Sequence, residues 1–173
     1  LDSAPVPPTD WLGEVARQAR PVHAGRVLIH GSHARGAAAE APVAIEIDAG
    51  LAFGSGEHET TRGCLLAVDR LPAALAARPR ILDLGCGSGV LAIAAAKRWP
   101  TARVLAVDND PVAVAVAAEN LALNGVATRC RAALSDGLAA SVVGRAAPFD
   151  LILANILADP LIVMAVPIAR SLR

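Results

Sequence analysis

Between an apolar strand and a helix the chain runs Leu82-Asp83-Leu84-Gly85-Cys86-Gly87-Ser88-Gly89. Three glycines at alternate positions let the backbone turn sharply and approach a ligand closely. A tight turn alone needs fewer. The dinucleotide fingerprint G-x-G-x-x-G is not met, because Val90 stands where its third glycine belongs. The segments that follow alternate as a strand–loop–helix unit demands. Residues 81–84 read as a strand and 90–99 as a helix stopped by Pro100. Residues 104–107 read as a second strand, followed by a helix capped by Asp110, opened by Pro111 and ended at Gly125. Residues 127–132 and 150–154 read as two more strands, and 160–169 as a helix. This alternation predicts an α/β fold with a parallel, doubly wound sheet and a ligand at the carboxyl ends of its strands.

Upstream, residues 1–10 are Pro-rich and read as an extended arm, and 11–18 as a short amphipathic helix. Residues 26–30 and 43–47 read as two strands joined by a Gly/Ala-rich loop. Residues 57–77 read as a helix with Thr60 and Thr61 in its first turn. The expected division is residues 1–50 as arm, helix and strand pair, and 51–173 as the main α/β part. Only four strands belong to that part and the chain starts with Leu, so it is expected to be a piece of a longer protein with an unfinished sheet.

Composition narrows the function. The chain is 54% hydrophobic and 18% charged, which excludes a disordered or fibrous protein. Sixteen basic and sixteen acidic residues cancel, and only 2% of residues are aromatic, so direct nucleic-acid binding is not expected. Three cysteines with no C-x-x-C point to a reducing, cytoplasmic setting. The apolar stretch 151–169 carries Asn155, Asp159, Pro160 and Pro167. It is therefore read as a buried strand and a buried helix rather than a membrane span.

Several side chains stand where chemistry would need them. Asp108 ends the second strand about 20 residues beyond the glycines, where a carboxylate accepts ribose hydroxyls. The segment Gly50-Leu51-Ala52-Phe53-Gly54-Ser55-Gly56-Glu57-His58-Glu59-Thr60-Thr61 opens a helix whose first-turn N–H groups and hydroxyls suit an anion. It could equally be a local cap. Asn155, at the end of the fourth strand, can accept from a substrate amine and donate to a nearby oxygen. His58 beside the helix start is read as structural. His30 and His33 lack the Cys or carboxylate companions of a metal site, and no metal is expected. Cys86 fills a small-residue position in the glycine loop with no paired base, and no nucleophile role is assigned to it.

The glycine loop with Asp83 before it resembles the first motif of S-adenosylmethionine-dependent methyltransferases with a Rossmann-like fold. AFGSGEHETT, LDLGCGSGVLAIAA and ANILADPL occur here in that order. Together they resemble the bacterial ribosomal protein L11 methyltransferase family from about Trp11 to the C-terminus, with Ser55 in place of the family's usual Thr. The resemblance implies S-adenosylmethionine as cofactor and carries the family's cofactor-binding positions onto Thr61, Gly85, Asp108 and Asn155. Gly87 and Gly89 are added from the loop itself. It further implies methyl transfer to lysine or α-amino groups of a large-subunit ribosomal protein, with Asn155 orienting the amine. It also implies that the family's N-terminal recognition domain and last strands lie outside this chain. The alternatives are a methyltransferase for another protein's lysines, a cofactor-binding fragment without activity, and, remotely, an NAD-dependent oxidoreductase.

Overall fold

A computed structural model describes residues 20–47, 59–73 and 75–173. The helix expected over 11–18 and the AFGSGEHE stretch lie outside the described residues.

Among the described residues seven strands form two sheets: β1 (Val22–Ala24), β2 (Val27–His30), β3 (Val43–Glu46), β4 (Arg80–Leu84), β5 (Arg103–Asp108), β6 (Cys130–Leu134) and β7 (Leu151–Ala154). The helices are α1 (Arg35–Ala38), α2 (Glu59–Arg70), α3 (Val90–Arg98), α4 (Pro111–Leu123), α5 (Ser141–Ala146) and α6 (Ala158–Arg170). The main sheet has the order β6-β5-β4-β7, and every pair in it is parallel. The chain steps outward from β4 to β6 and then returns to lay β7 on the other side of β4. That reversal is the switch point of an open α/β sheet. The structure is thus the expected Rossmann-like fold.

Period-two alternation sends Ile81, Val104, Ala106 and Cys130 to one face, where they join Ile93 of α3 and Ala117 and Leu121 of α4 in one apolar cluster. Leu82, Leu84, Leu105 and Val107 go to the other face with Val143 and Phe149. Helix α3 is so Ala-rich that it sits between the two sheets with Val90 to Ala96 all buried. The small sheet, β1-β2-β3, adds Val27, Ile29 and Ile45 to the first cluster alongside Leu65 and Val68 of α2. Asn124 fastens it: its Nδ2 donates to the Glu46 carbonyl (2.8 Å) and its Oδ1 accepts from Glu46 N (2.9 Å). Lys97, the chain's one lysine, adds Nζ donation to the Ala44 carbonyl and to Asn124 Oδ1.

Turn chemistry set the α4 boundaries as expected. Asp110 accepts from Val112 N (2.8 Å), and Gly125, at φ +68°, closes the C-terminus with Val126 N donating to Leu121 O. Elsewhere the structure corrects the reading. Helix α2 stops at Arg70, not near residue 77, because Leu71 precedes Pro72 and the residue before a proline is pushed out of the helical region. The third strand is β6 at Cys130–Leu134 rather than 127–132, since residues 126–130 first make a turn in which Arg129 N and Cys130 N both donate to Val126 O. Strand β1 and helix α5 were not anticipated. Strand β7 is half-buried and no residue of α6 is buried, against the expectation of a buried pair. Ile162 is 71% and Val163 79% exposed. Among the described residues β7 pairs only with β4. No helix among the described residues is long and apolar enough to cross a membrane.

Candidate cofactor site

The site grows from the end of β4. Gly85, Gly87 and Gly89 have φ of +70°, +50° and +80°, so three left-handed residues in five swing the chain from strand into α3. Gly85 N and Cys86 N both donate to Val107 O (2.8 and 2.9 Å), which hooks the loop onto the end of β5. A Cβ at Gly85 would lie 2.2 Å from Ile156 Cγ2, so the backbone there is in contact with the segment after β7.

Asp108 closes the loop from the other side. Its Oδ2 accepts from Gly87 N (2.8 Å) and its Oδ1 from Asp110 N (3.1 Å). Each oxygen keeps a further acceptor site for an incoming hydroxyl. Because Asp110 caps α4, Asp108 is spared that task. Asn155 donates through Nδ2 to Thr61 Oγ1 (3.0 Å), which joins the end of β7 to the first turn of α2 and leaves the amide oxygen as acceptor.

An open cavity of about 860 Å³ lies among these groups. Gly85, Gly87, Asp108 and Asn155 line it. Thr61 is buried behind Asn155, and its neighbour Thr60 faces the cavity. Gly89 is not among the lining residues. It is the N-cap of α3, and a Cβ there would sit 3.3 Å from Ala117 Cβ, so it lets α3 and α4 approach. Sequence reasoning missed Ser135, Asp136 and Gly137, which follow β6 and line the same cavity. A Ser-Asp-Gly turn after a parallel strand was the available signal. It also missed the apolar wall of Ile156, Leu157, Val163 and Met164.

Asp83 has a job that its sequence position did not reveal. Gly89 has no side chain to cap α3, and Asp83 Oδ2 accepts from Ala92 N (2.9 Å) in that helix's first turn. Its Oδ1 is buried without a partner among the described residues. Burial pushes its carboxyl up to about 7, helped by the nearby Asp108 and opposed by the Ala92 N–H. Burial, and then the same two carboxylates, raise the Cys86 thiol, and burial pushes Cys130 up to about 12. Both thiols are held protonated. Among the described residues no group of three or more His, Cys, Asp or Glu could hold a metal ion. His58 lies outside them.

Among the described residues the lining carries three carboxylates, Asp108, Asp136 and Asp159, and no basic residue. A pyrophosphate would meet like charge from these three, whereas a cationic, phosphate-free nucleoside is complemented.

The family model described as Ribosomal protein L11 methyltransferase (PrmA) matches residues 3–173. The chain belongs to the ribosomal protein L11 methyltransferase family. A member from Bradyrhizobium diazoefficiens is 52% identical over 164 residues, covering 94% of this chain and 55% of the relative. The chain thus spans a little over half the length of the curated relatives it matches. A crystal structure of ribosomal protein L11 methylase from Lactobacillus delbrueckii subsp. bulgaricus superposes with a TM-score of 0.71 at 32% identity, covering 90% of this chain and 76% of that one. An RNA methyltransferase from Salinibacter ruber, solved with S-adenosyl-L-homocysteine, shares the fold at a TM-score of 0.51 and 21% identity, over 63% of this chain and 65% of that one.

Proposed function

We propose that this chain is the cofactor-binding part of an S-adenosylmethionine-dependent protein N-methyltransferase that acts on lysine or α-amino groups of ribosomal protein L11. The observation that carries the reading is the convergence of the glycine loop, Asp108 and the Asn155–Thr61 pair around one acid-lined, base-free cavity at the switch point. Membership of the family supports the substrate class.

When bound, S-adenosylmethionine supplies a sulfonium methyl that needs no covalent activation by the protein. Gly85 and Gly87 would let the backbone lie against it, Asp108 would accept its ribose hydroxyls, and the first turn of α2 at Thr60 would face its carboxylate while Thr61 holds Asn155. Asn155 would orient the incoming amine through its free amide oxygen. An unperturbed lysine titrates near 10.4, about three units above neutrality, so the amine must be brought in deprotonated. The half-buried Ile156 and Met164 favour the neutral amine by withholding water from its charged form. The chain's remaining work is alignment and exclusion of water.

In this reading residues 51–173 form the cofactor-binding part. Residues 1–50 precede it, and their described strands β1–β3 lean on it through the apolar cluster shared with α2 and α3. Its compartment is the cytoplasm, in keeping with the free thiols Cys64, Cys86 and Cys130.

Asp108→Ala is expected to weaken S-adenosylmethionine binding by about 1–3 kcal/mol, roughly 5- to 150-fold, with Asp108→Asn intermediate. Titration calorimetry reads it, and unchanged affinity removes Asp108 from the site. Transfer of labelled methyl groups to purified L11 tests the reaction. It should be seen with a protein spanning the full length of the relatives. Binding of NAD without binding of S-adenosylmethionine would overturn the cofactor reading.

A further inference from the structure

Glycine's freedom is a liability where a loop must keep one shape. Gly87 and Gly89 stand at φ +50° and +80°, on either side of Ser88, and each can cross to negative φ at little cost. The peptide unit between Ser88 and Gly89 can therefore turn over. Two hydrogen bonds oppose that. Gly89 N donates to the Cys86 carbonyl (2.8 Å), a bond local to the loop. Asn120 Nδ2, reaching from α4, donates to the Ser88 carbonyl (2.9 Å) and ties the same peptide unit to another element.

The need for that donor is set by where α3 begins. Ile93 N donates to the Gly89 carbonyl (2.9 Å), so the Ser88 carbonyl stands before the helical ladder. It is buried, and a buried carbonyl without a donor is costly. The face of α4 that meets the loop is otherwise apolar and small. Ala113, Ala117 and Asn120 recur on it at helical spacing, all buried, and Ala117 is the residue that a Cβ at Gly89 would press upon. An amide that is 8% exposed on such a face has lost its hydration, and the Ser88 carbonyl makes good part of the loss. Asn120 is itself held from behind. Its carbonyl accepts from Asn124 N (3.0 Å) and Asn124 Nδ2 (2.9 Å), and the Asn124 side chain is bonded in turn to Glu46. Asn120 is not among the residues lining the cavity, so it acts on a ligand only through the loop.

We propose that Asn120 is a positioning residue for the cofactor: by locking the Ser88–Gly89 peptide it holds the glycine loop, with Gly87 N–H on Asp108, in the shape that meets the ligand. The inference rests on the S-adenosylmethionine reading of the site. Without the amide donor the loop divides its population among several shapes, and the apparent affinity falls with the fraction that stays competent.

Calorimetry with S-adenosylmethionine and amide hydrogen exchange followed by NMR test it on Asn120→Leu, which is close to asparagine in size and cannot donate. Cofactor binding should weaken about 5- to 20-fold, the order expected for one lost hydrogen bond to a buried carbonyl. The Gly89 N–H should exchange at least about tenfold faster while the Ile93 N–H keeps its protection, because turning over one peptide opens the loop without unfolding α3. Saturating cofactor should restore protection at Gly89. A merely structural role predicts the reverse: Gly89 and Ile93 lose protection together, and the folded variant binds like the parent. Asn124→Ala is the control for general loosening of α4. It should lower the melting temperature by releasing β3 and leave cofactor affinity within about twofold. If Asn120→Leu does not fold, Asn120→Ala removes the same donor without bulk and is read in the same way. The proposal is overturned by parent-like affinity in a folded Asn120 variant, by exchange that rises equally at Gly89 and Ile93, or by a loss in Asn124→Ala as large as that in the Asn120 variant. Absence of S-adenosylmethionine binding by the parent protein sinks the cofactor reading instead, and leaves exchange at Gly89 to judge the lock.

Discussion

Gly85→Ala should cost the fold about 2–4 kcal/mol, the sum of a left-handed backbone at a residue with a Cβ and of overpacking. The two contributions are separable. At φ +70° any L side chain is strained, and the new methyl would lie 2.2 Å from Ile156 Cγ2, inside any real contact distance. Something must shift, and both candidates line the cavity: the loop itself or Ile156. In a chain of this size the loss corresponds to a melting temperature lower by roughly 5–15 °C. S-adenosylmethionine affinity should fall with it, because the loop moves toward the space the ligand needs. Adding Ile156→Ala relieves the clash but not the backbone strain, so the double variant should recover about half the loss by differential scanning calorimetry. A Gly85→Ala protein that melts with the parent and binds the cofactor equally would contradict this loop geometry.

Asp83 should make stability fall as pH rises from about 4 to about 7. Its carboxyl is raised from 3.8 to about 7 in the folded chain, first by burial and then by Asp108. Between those values the native state holds a proton that the unfolded chain has released, so each rise in pH favours unfolding. The contribution is fully present below the unfolded value and gone above the folded one. At 1.36 kcal/mol per unit, a rise from 3.8 to about 7 amounts to about 4 kcal/mol. Asp83→Asn cannot ionise and can still accept from Ala92 N, at the cost of an unpartnered amide N–H worth about 1–3 kcal/mol. The variant should therefore be the more stable protein at pH 8, by about 1–3 kcal/mol, and equal or weaker at pH 5. Urea titrations of both proteins at the two pH values decide it. Parallel pH profiles would show that Asp83 does not titrate in this range.

These two residues mark how far the chain of residues could be read unaided. Gly85 was visible as a loop glycine because glycine spacing between an apolar run and a helix has few other uses. The clash that makes it irreplaceable comes from Ile156, 71 positions later in the sequence. Asp83 was visible only as an acid before the loop. Its capping of α3 depends on Gly89 having no side chain and on β4 running beneath the helix start. The same division explains Thr60 and Thr61. Sequence put both in one helical turn, and the tertiary structure turned Thr60 to the cavity and Thr61 to Asn155.

By itself, the sequence determined the local alternation of strand, turn and helix, the parallel sheet it implies and the cofactor-facing ends of its strands. Those follow from side-chain periodicity and from backbone angles that only glycine, proline and capping residues set, and both act over a few positions. Only the tertiary structure decided which residues meet across that sheet. It set the register that starts β6 at Cys130, the exposure of α6 and the buried, unpartnered Oδ1 of Asp83. It also gathered Asp108, Asp136 and Asp159 at one end of the sheet. Pairing order and burial are properties of distant segments brought together, and a zero net charge carries no record of where on the fold the charges stand.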